Sequence, residues 1–286
     1  MKITLQKKEK TDIKAIAIYT IAIISCIIAI IIVSITQFLG KNKLEEMLSI
    51  GSSGASRQEI DEQALIAEFD NIFNNQLEKS NFNNKLKKQE ENKEIIYTYY
   101  DKMEIKKNSY ELDLQIPYIN IDNEIIKQYN NEIKEIFQKK AEKVLETQNK
   151  NIVYTVKYQA IIEDNILSLI IKSELKEGAS AQRKIIKTYN YDLSNNKEIS
   201  LKEIILKKDL KQDEVQRKIK DRIKIEEKKV EDLKNLGYNI FERNSEDKQY
   251  AIENSKEFFI KNQHIYVIYA YGNESLTSEM DVVVIQ

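Results

Sequence analysis

Ile152-Val153-Tyr154-Thr155-Val156-Lys157-Tyr158-Gln159-Ala160-Ile161-Ile162-Glu163, then Asp164-Asn165, then Ile166-Leu167-Ser168-Leu169-Ile170-Ile171: this stretch decides the fold. Ile152, Tyr154, Val156, Tyr158, Ala160 and Ile162 alternate with Thr155, Lys157, Gln159 and Glu163, which predicts a strand with one buried and one wet face. Asp and Asn tolerate the left-handed conformations of a two-residue link, and Leu167, Leu169, Ile171 and Leu175 resume the pattern, so a hairpin is expected.

Working outward, a third strand is expected from Arg183 to Leu193, ended by Ser194-Asn195-Asn196. Upstream, Ile95 to Tyr100 and Tyr110 to Ile116 alternate before Pro117, whose missing N–H marks a strand end or edge. From about Asp122, residues Ile125, Ile126, Tyr129, Ile133, Ile136, Phe137, Val144 and Leu145 form one helical stripe. Ser200 and Glu203 have the spacing of a capping box, starting a short helix at Leu201. A charged helix from about Lys211 to Leu236 turns Val215, Ile219, Ile223, Val230 and Leu233 inward, and Gly237 is placed to end it. Strands return at Phe258 to Ile260, Ile265 to Tyr271 and Val282 to Ile285. Strands and helices come in separate runs, so the fold class is α+β, a mainly antiparallel sheet with packed helices.

Before this region Gly51-Ser52-Ser53-Gly54-Ala55-Ser56 reads as a tether. After it Leu65, Phe69, Ile72, Phe73 and Leu77 predict a short amphipathic helix, interrupted by Asn81, Asn83 and Asn84; it packs on the main domain or binds a partner. Ala15 to Leu39 is an uncharged run containing eleven isoleucines. At about 1.5 Å per residue its helix would reach roughly 37 Å, more than the roughly 30 Å of a bilayer core, so a transmembrane helix is expected at 15–39. A cleaved signal peptide would have a shorter apolar region. Lipidation at Cys26 is the other alternative, but further isoleucines follow it where a polar tether would be expected. Lys2, Lys7, Lys8, Lys10 and Lys14 precede the span, which favours a cytoplasmic tail at 1–14 and an extracytoplasmic remainder.

The chain has 45 basic and 46 acidic residues; setting aside the tail's five lysines and two acids leaves 40 and 44 outside. That balance does not suggest nucleic-acid binding, which needs a strongly basic face. The single cysteine, Cys26, leaves the outer part without a disulfide or a thiol nucleophile, so it depends on a packed core. Abundant lysine, isoleucine and asparagine fit an AT-rich bacterial genome.

The one histidine, His264, stands at a strand start where exposure is expected, too little imidazole for a metal hydrolase or a histidine-based triad. No cofactor and no metal is expected. A wall-polymer hydrolase would need only two carboxyl groups at a defined separation. Asp192 is the acid to examine first; its plainer reading is a cap for the turn at 194–196. Tyrosine is the surplus, sixteen in all. Tyr189, Tyr191, Tyr269 and Tyr271, with Asp192, are the candidate ligand-binding residues, since exposed tyrosines stack on sugar rings and anchor interfaces. Core packing is the competing reading of those rings.

Ile116-Pro117-Tyr118-Ile119-Asn120, Asn130, Ile166-Leu167-Ser168-Leu169 and Tyr189-Asn190-Tyr191-Asp192-Leu193 followed by Ile199-Ser200-Leu201 resemble a bacterial domain pair. It consists of the N-terminal module of PdaC-type peptidoglycan deacetylases and a partner domain of unknown function, and it also forms the ectodomain of RsiV-like anti-sigma factors. The resemblance implies a PdaC-like α+β module at 94–199 and an RsiV-like C-terminal module at 200–286, after a tether and helix at 40–93. It further implies an extracytoplasmic location, and in the RsiV-like relatives a receptor for lysozyme. The 14 residues before the span are short for a sigma-factor-binding segment, and nothing after Gln286 corresponds to the deacetylase catalytic domain. The expected function is a single-pass membrane-anchored binding module, not an enzyme, for a cell-envelope component, either peptidoglycan or a wall-associated protein. The alternatives are a lysozyme-binding sensor and a hydrolase working through paired carboxylates.

Overall fold

The computed structural model describes residues 56–79, 86–148, 150–180, 182–271 and 279–286. The span at 15–39, residues 51–55 of the tether, and Asn81, Asn83 and Asn84 lie outside them, while Ser56, the last tether residue, is helical. Among the described residues no helix is long and apolar enough to cross a membrane. Ala64–Gln286 form one compact unit.

The quoted stretch forms β4 (Ile152–Glu163) and β5 (Ile166–Glu177), antiparallel neighbours joined by Asp164 and Asn165 at φ 52° and 60°. Both turn residues are left-handed, as the type I′ link requires. Around this hairpin the first sheet runs β2-β3-β4-β5-β6-β7, with β2 at Ile96–Lys106, β3 at Tyr110–Ile119, β6 at Arg183–Asp192 and β7 at Lys197–Glu198. Two pairings are parallel and share one edge of β4: β3 takes Ile152 to Val156 and β1 (Leu77–Lys79) takes Ala160 to Ile162. Past Leu114, β3 pairs only with β2, so Pro117 lies inside the strand, where its missing N–H is tolerated.

Helix α1 (Ser56–Glu68) ends before Leu77, which is strand rather than helix. The sequence spacing mimics a helix there, whereas the pairing with β4 is non-local. The long expected helix is α2 (Glu124–Ile133), a π turn (Lys134–Gln138) and α3 (Lys139–Leu145). It packs Ile126, Ile133, Phe137, Ala141 and Val144 on one face of the first sheet. Asn130 belongs to that buried face, and its side chain accepts from Ile119 N and donates to Ile119 O, both at 2.9 Å. It thereby pairs the stretch of β3 that has left β4.

The second sheet, β10-β9-β8, is antiparallel: β8 Glu257–Lys261, β9 His264–Tyr271, β10 Glu279–Ile285. Its outer face is covered by α4 (Leu201–Lys207), which starts at the Ser200–Glu203 capping box, and by α5 (Gln212–Asn235). Val215, Ile219, Ile223 and Val230 of α5 are buried, but Leu233, expected inward, is exposed. The inner faces of the two sheets meet around Phe69, Ile161, Ile170, Ile186, Phe259 and Ile268. The layers are therefore helix, sheet, sheet, helix, an α+β arrangement with mainly antiparallel sheets. This second layer corrects the expected wet face of β4. Gln159, Ile161 and Glu163 are buried beneath it, with Glu163 accepting Asn262 N at 2.8 Å and Gln263 N at 2.7 Å.

Candidate functional site

The five residues expected to bind ligand are all at most 6% exposed and do not converge. Asp192 performs the capping role: Oδ1 accepts Ser194 N at 2.9 Å and Asn195 N at 3.0 Å, and Oδ2 accepts Asn195 Nδ2 at 3.0 Å and Lys207 Nζ at 3.2 Å. Burial raises its pKa, but these bonds outweigh burial and hold the carboxyl below its usual range. Tyr191 packs with the first sheet and its helix. Tyr189 lies against Tyr129 with centroids 4.9 Å apart, its hydroxyl buried without a hydrogen-bond partner among the described residues. Tyr269 bonds Ser255 Oγ at 2.8 Å and meets Tyr250 edge-on. Tyr271 donates to Asp281 at 2.5 Å and is capped by Arg243, 4.1 Å above its ring. The rings thus do core work, because a tyrosine on an alternating strand is buried wherever a second layer covers it.

The partly exposed tyrosines gather on β2 and β3, where Tyr118 contacts Tyr97 and Tyr99. Their hydroxyls are taken up by Glu90, Gln138 and Gln89, and Lys93 covers the Tyr97 ring at 4.3 Å.

A cleft of about 940 Å³ opens between the helix, β6 and the second sheet. The helix lines it with Lys139, Lys140 and Lys143; β6 adds Arg183, Lys184 and Lys187; the loop before β8 adds Lys256. Glu135 pairs with Lys139 at 2.5 Å, and Glu177 pairs with Lys140 at 3.5 Å and with Arg183. Lys184 reaches Glu174 at 3.6 Å. Lys143 and Lys256 form no ion pair among the described residues. A second hollow of about 490 Å³ shares Lys187, Ser255, Lys256 and Glu257, extending the cleft along β6. Tyr269 borders the first hollow and Tyr189 the second; Tyr191, Asp192 and Tyr271 border neither.

Glu257 marks the junction. Its Oε2 accepts Thr188 N at 2.6 Å and Thr188 Oγ1 at 3.1 Å, while Oε1 lies 3.5 Å from Lys187. Burial pushes this carboxyl above its ordinary value, opposed by Lys187 and the Thr188 bonds. His264 is half-buried, with Nδ1 unpartnered among the described residues. Among the described residues no three His, Cys, Asp or Glu side chains come together to hold a metal ion. The cleft offers mainly cationic heads, with the carboxylates of Glu135 and Glu257 among them. Its lysines were hidden in the sequence by the many others; the helical spacing of Lys139, Lys140 and Lys143 was the available signal.

No protein-family model and no curated protein matches this sequence. Among solved structures, the chain is similar to a member of the DUF3298 family from Bacteroides fragilis, at 11% identity and a TM-score of 0.34, over 62% of this chain and 81% of that one. A DUF3298 family protein from Pseudomonas aeruginosa PAO1 matches at 10% identity and a TM-score of 0.35, over 63% and 82%.

Proposed function

We propose that this chain is a membrane-anchored, non-catalytic module that binds a cell-envelope component on the extracytoplasmic side, and that the cleft beside β6 is its binding site. The observation that carries the reading is the cleft itself: about 940 Å³, in the size range of ligand sites, with two lysines that have no carboxylate partner among the described residues. The uncharged run at 15–39, its lysine-rich flank and the PdaC-like and RsiV-like sequence motifs support the anchor, the orientation and the envelope. A cationic cleft favours an acidic component, peptidoglycan with its free carboxylates among them, over a basic protein such as lysozyme.

Sedimentation with purified peptidoglycan tests the reading, using the full chain in mild detergent. The chain co-sediments at low salt and is released near 1 M salt, where the Debye length falls to about 3 Å. Lys143→Glu combined with Lys256→Glu weakens retention. Failure to be retained by peptidoglycan, together with failure to capture any envelope protein, would refute it.

A further inference from the structure

We propose that the open edge of β6 accepts an extended, carboxylate-bearing peptide as an added strand. This rests on the reading of the cleft as the binding site and names the class of ligand. In an antiparallel pair, alternate residues turn their N–H and C=O groups toward the neighbouring strand and the residues between turn theirs away. The phase on β6 is fixed by two bonds: Thr188 N donates to Glu257, and Asn190 O accepts Ile199 N at 3.2 Å, both away from β5. Stepping back two residues at a time, the N–H and C=O groups of Ile186 and Lys184 also face away from β5. Strand β7 reaches only Tyr191 and Asp192, so these groups have no partner among the described residues, and both residues line the cleft.

An open edge is a template for strand addition, with main-chain bonds recurring about every 6.6–6.8 Å along the incoming chain. A peptide backbone offers both the N–H donors and the C=O acceptors that such an edge pairs with, whereas a glycan or a polyol phosphate has no backbone amide. The acidic character comes from the walls. Among the described residues, Lys143 on the helix and Lys256 on the loop have no carboxylate partner, and both flank the same trough. The fold already places one carboxylate on this edge, Glu257 on Thr188 N, so an acidic side chain or terminus at the next positions repeats a geometry the protein itself uses.

The probe is a fluorescent octapeptide alternating glutamate and valine, titrated into the full chain in detergent, with amide exchange followed in parallel. Binding slows exchange at the Lys184 and Ile186 amides. Lys184→Pro removes an outward N–H without breaking the β5 ladder and weakens binding about tenfold, the loss of one or two net hydrogen bonds. Lys184→Gln, which removes only the charge, weakens it about two- to threefold. No slowing of exchange at Lys184 and Ile186 overturns strand addition, and so does unchanged affinity in Lys184→Pro. If Lys184→Pro fails to fold by circular dichroism, wild-type exchange decides. Inorganic polyphosphate binding as tightly as the peptide, with no edge protection from either, overturns strand addition while leaving the cleft a binding site. Peptidoglycan retained without peptide binding does the same; neither retained removes both readings.

Discussion

Asp192 and Asn190, two residues apart near the end of β6, do different structural jobs that the sequence reveals unequally. The Asp192 cap is local, accepting from amides two and three residues ahead, so turn chemistry alone exposes it. Asn190 is not legible in this way. Its side chain accepts Ser168 Oγ at 2.7 Å and donates to Phe258 O at 2.7 Å, linking the two sheets over a sequence separation that no short-range rule covers. Replacing Asn190 with Ala leaves buried partners unpaired and is expected to cost about 1–3 kcal/mol in urea unfolding. Asp192→Ala is expected to cost a similar amount, about 1–3 kcal/mol, by orphaning the turn amides. The Asp192 carboxyl is held below its usual range, so its contribution is present above the unfolded carboxylate value and is lost as pH falls through the folded one. The stability gap between wild type and Asp192→Asn is therefore expected to shrink below about pH 4.

At the scale of elements, periodicity located the β4–β5 hairpin, the α2–α3 stripe, the capped α4 and the three C-terminal strands, because each has its pattern within its own residues. What it missed depends on distant pairing. The three-residue β1 exists only against β4, so the helical spacing is coincidence only at Leu77. Leu65 on α1, Phe69 on the 3-10 turn Phe69–Asn71 after it, and Ile72 and Phe73 just past that turn pack on the layer between the sheets, as expected of a helix docked on the main domain. The open edge of β6 was equally hidden, since a strand's sequence does not say which neighbour stops short. Gly237 was legible as the stop for α5: its φ is +90°, and an added Cβ would meet nothing within 4 Å. Gly237→Ala is therefore expected to cost about 1–2 kcal/mol through backbone conformation alone, measurable as a lower thermal midpoint with an unchanged cleft.

Across the whole unit from Ala64, the apolar layer between the sheets couples the regions that the sequence suggests are successive modules. Phe259 is fully buried in that layer and stacks on Tyr266 at 4.5 Å. Phe259→Ala is expected to cost about 3–5 kcal/mol and to lower one shared unfolding transition, seen by calorimetry, rather than melt one sheet ahead of the other. The same layering explains why the candidate tyrosines pack in the interior and why the cleft lined by lysines opens where the layers part. The most direct test of the cleft as the binding site is an amide-exchange map of the full chain, in detergent, with soluble peptidoglycan fragments. The expected result is protection concentrated at Arg183 to Thr188, Lys143 and the loop at Lys256. Binding accompanied by protection elsewhere, with these segments unchanged, would contradict it.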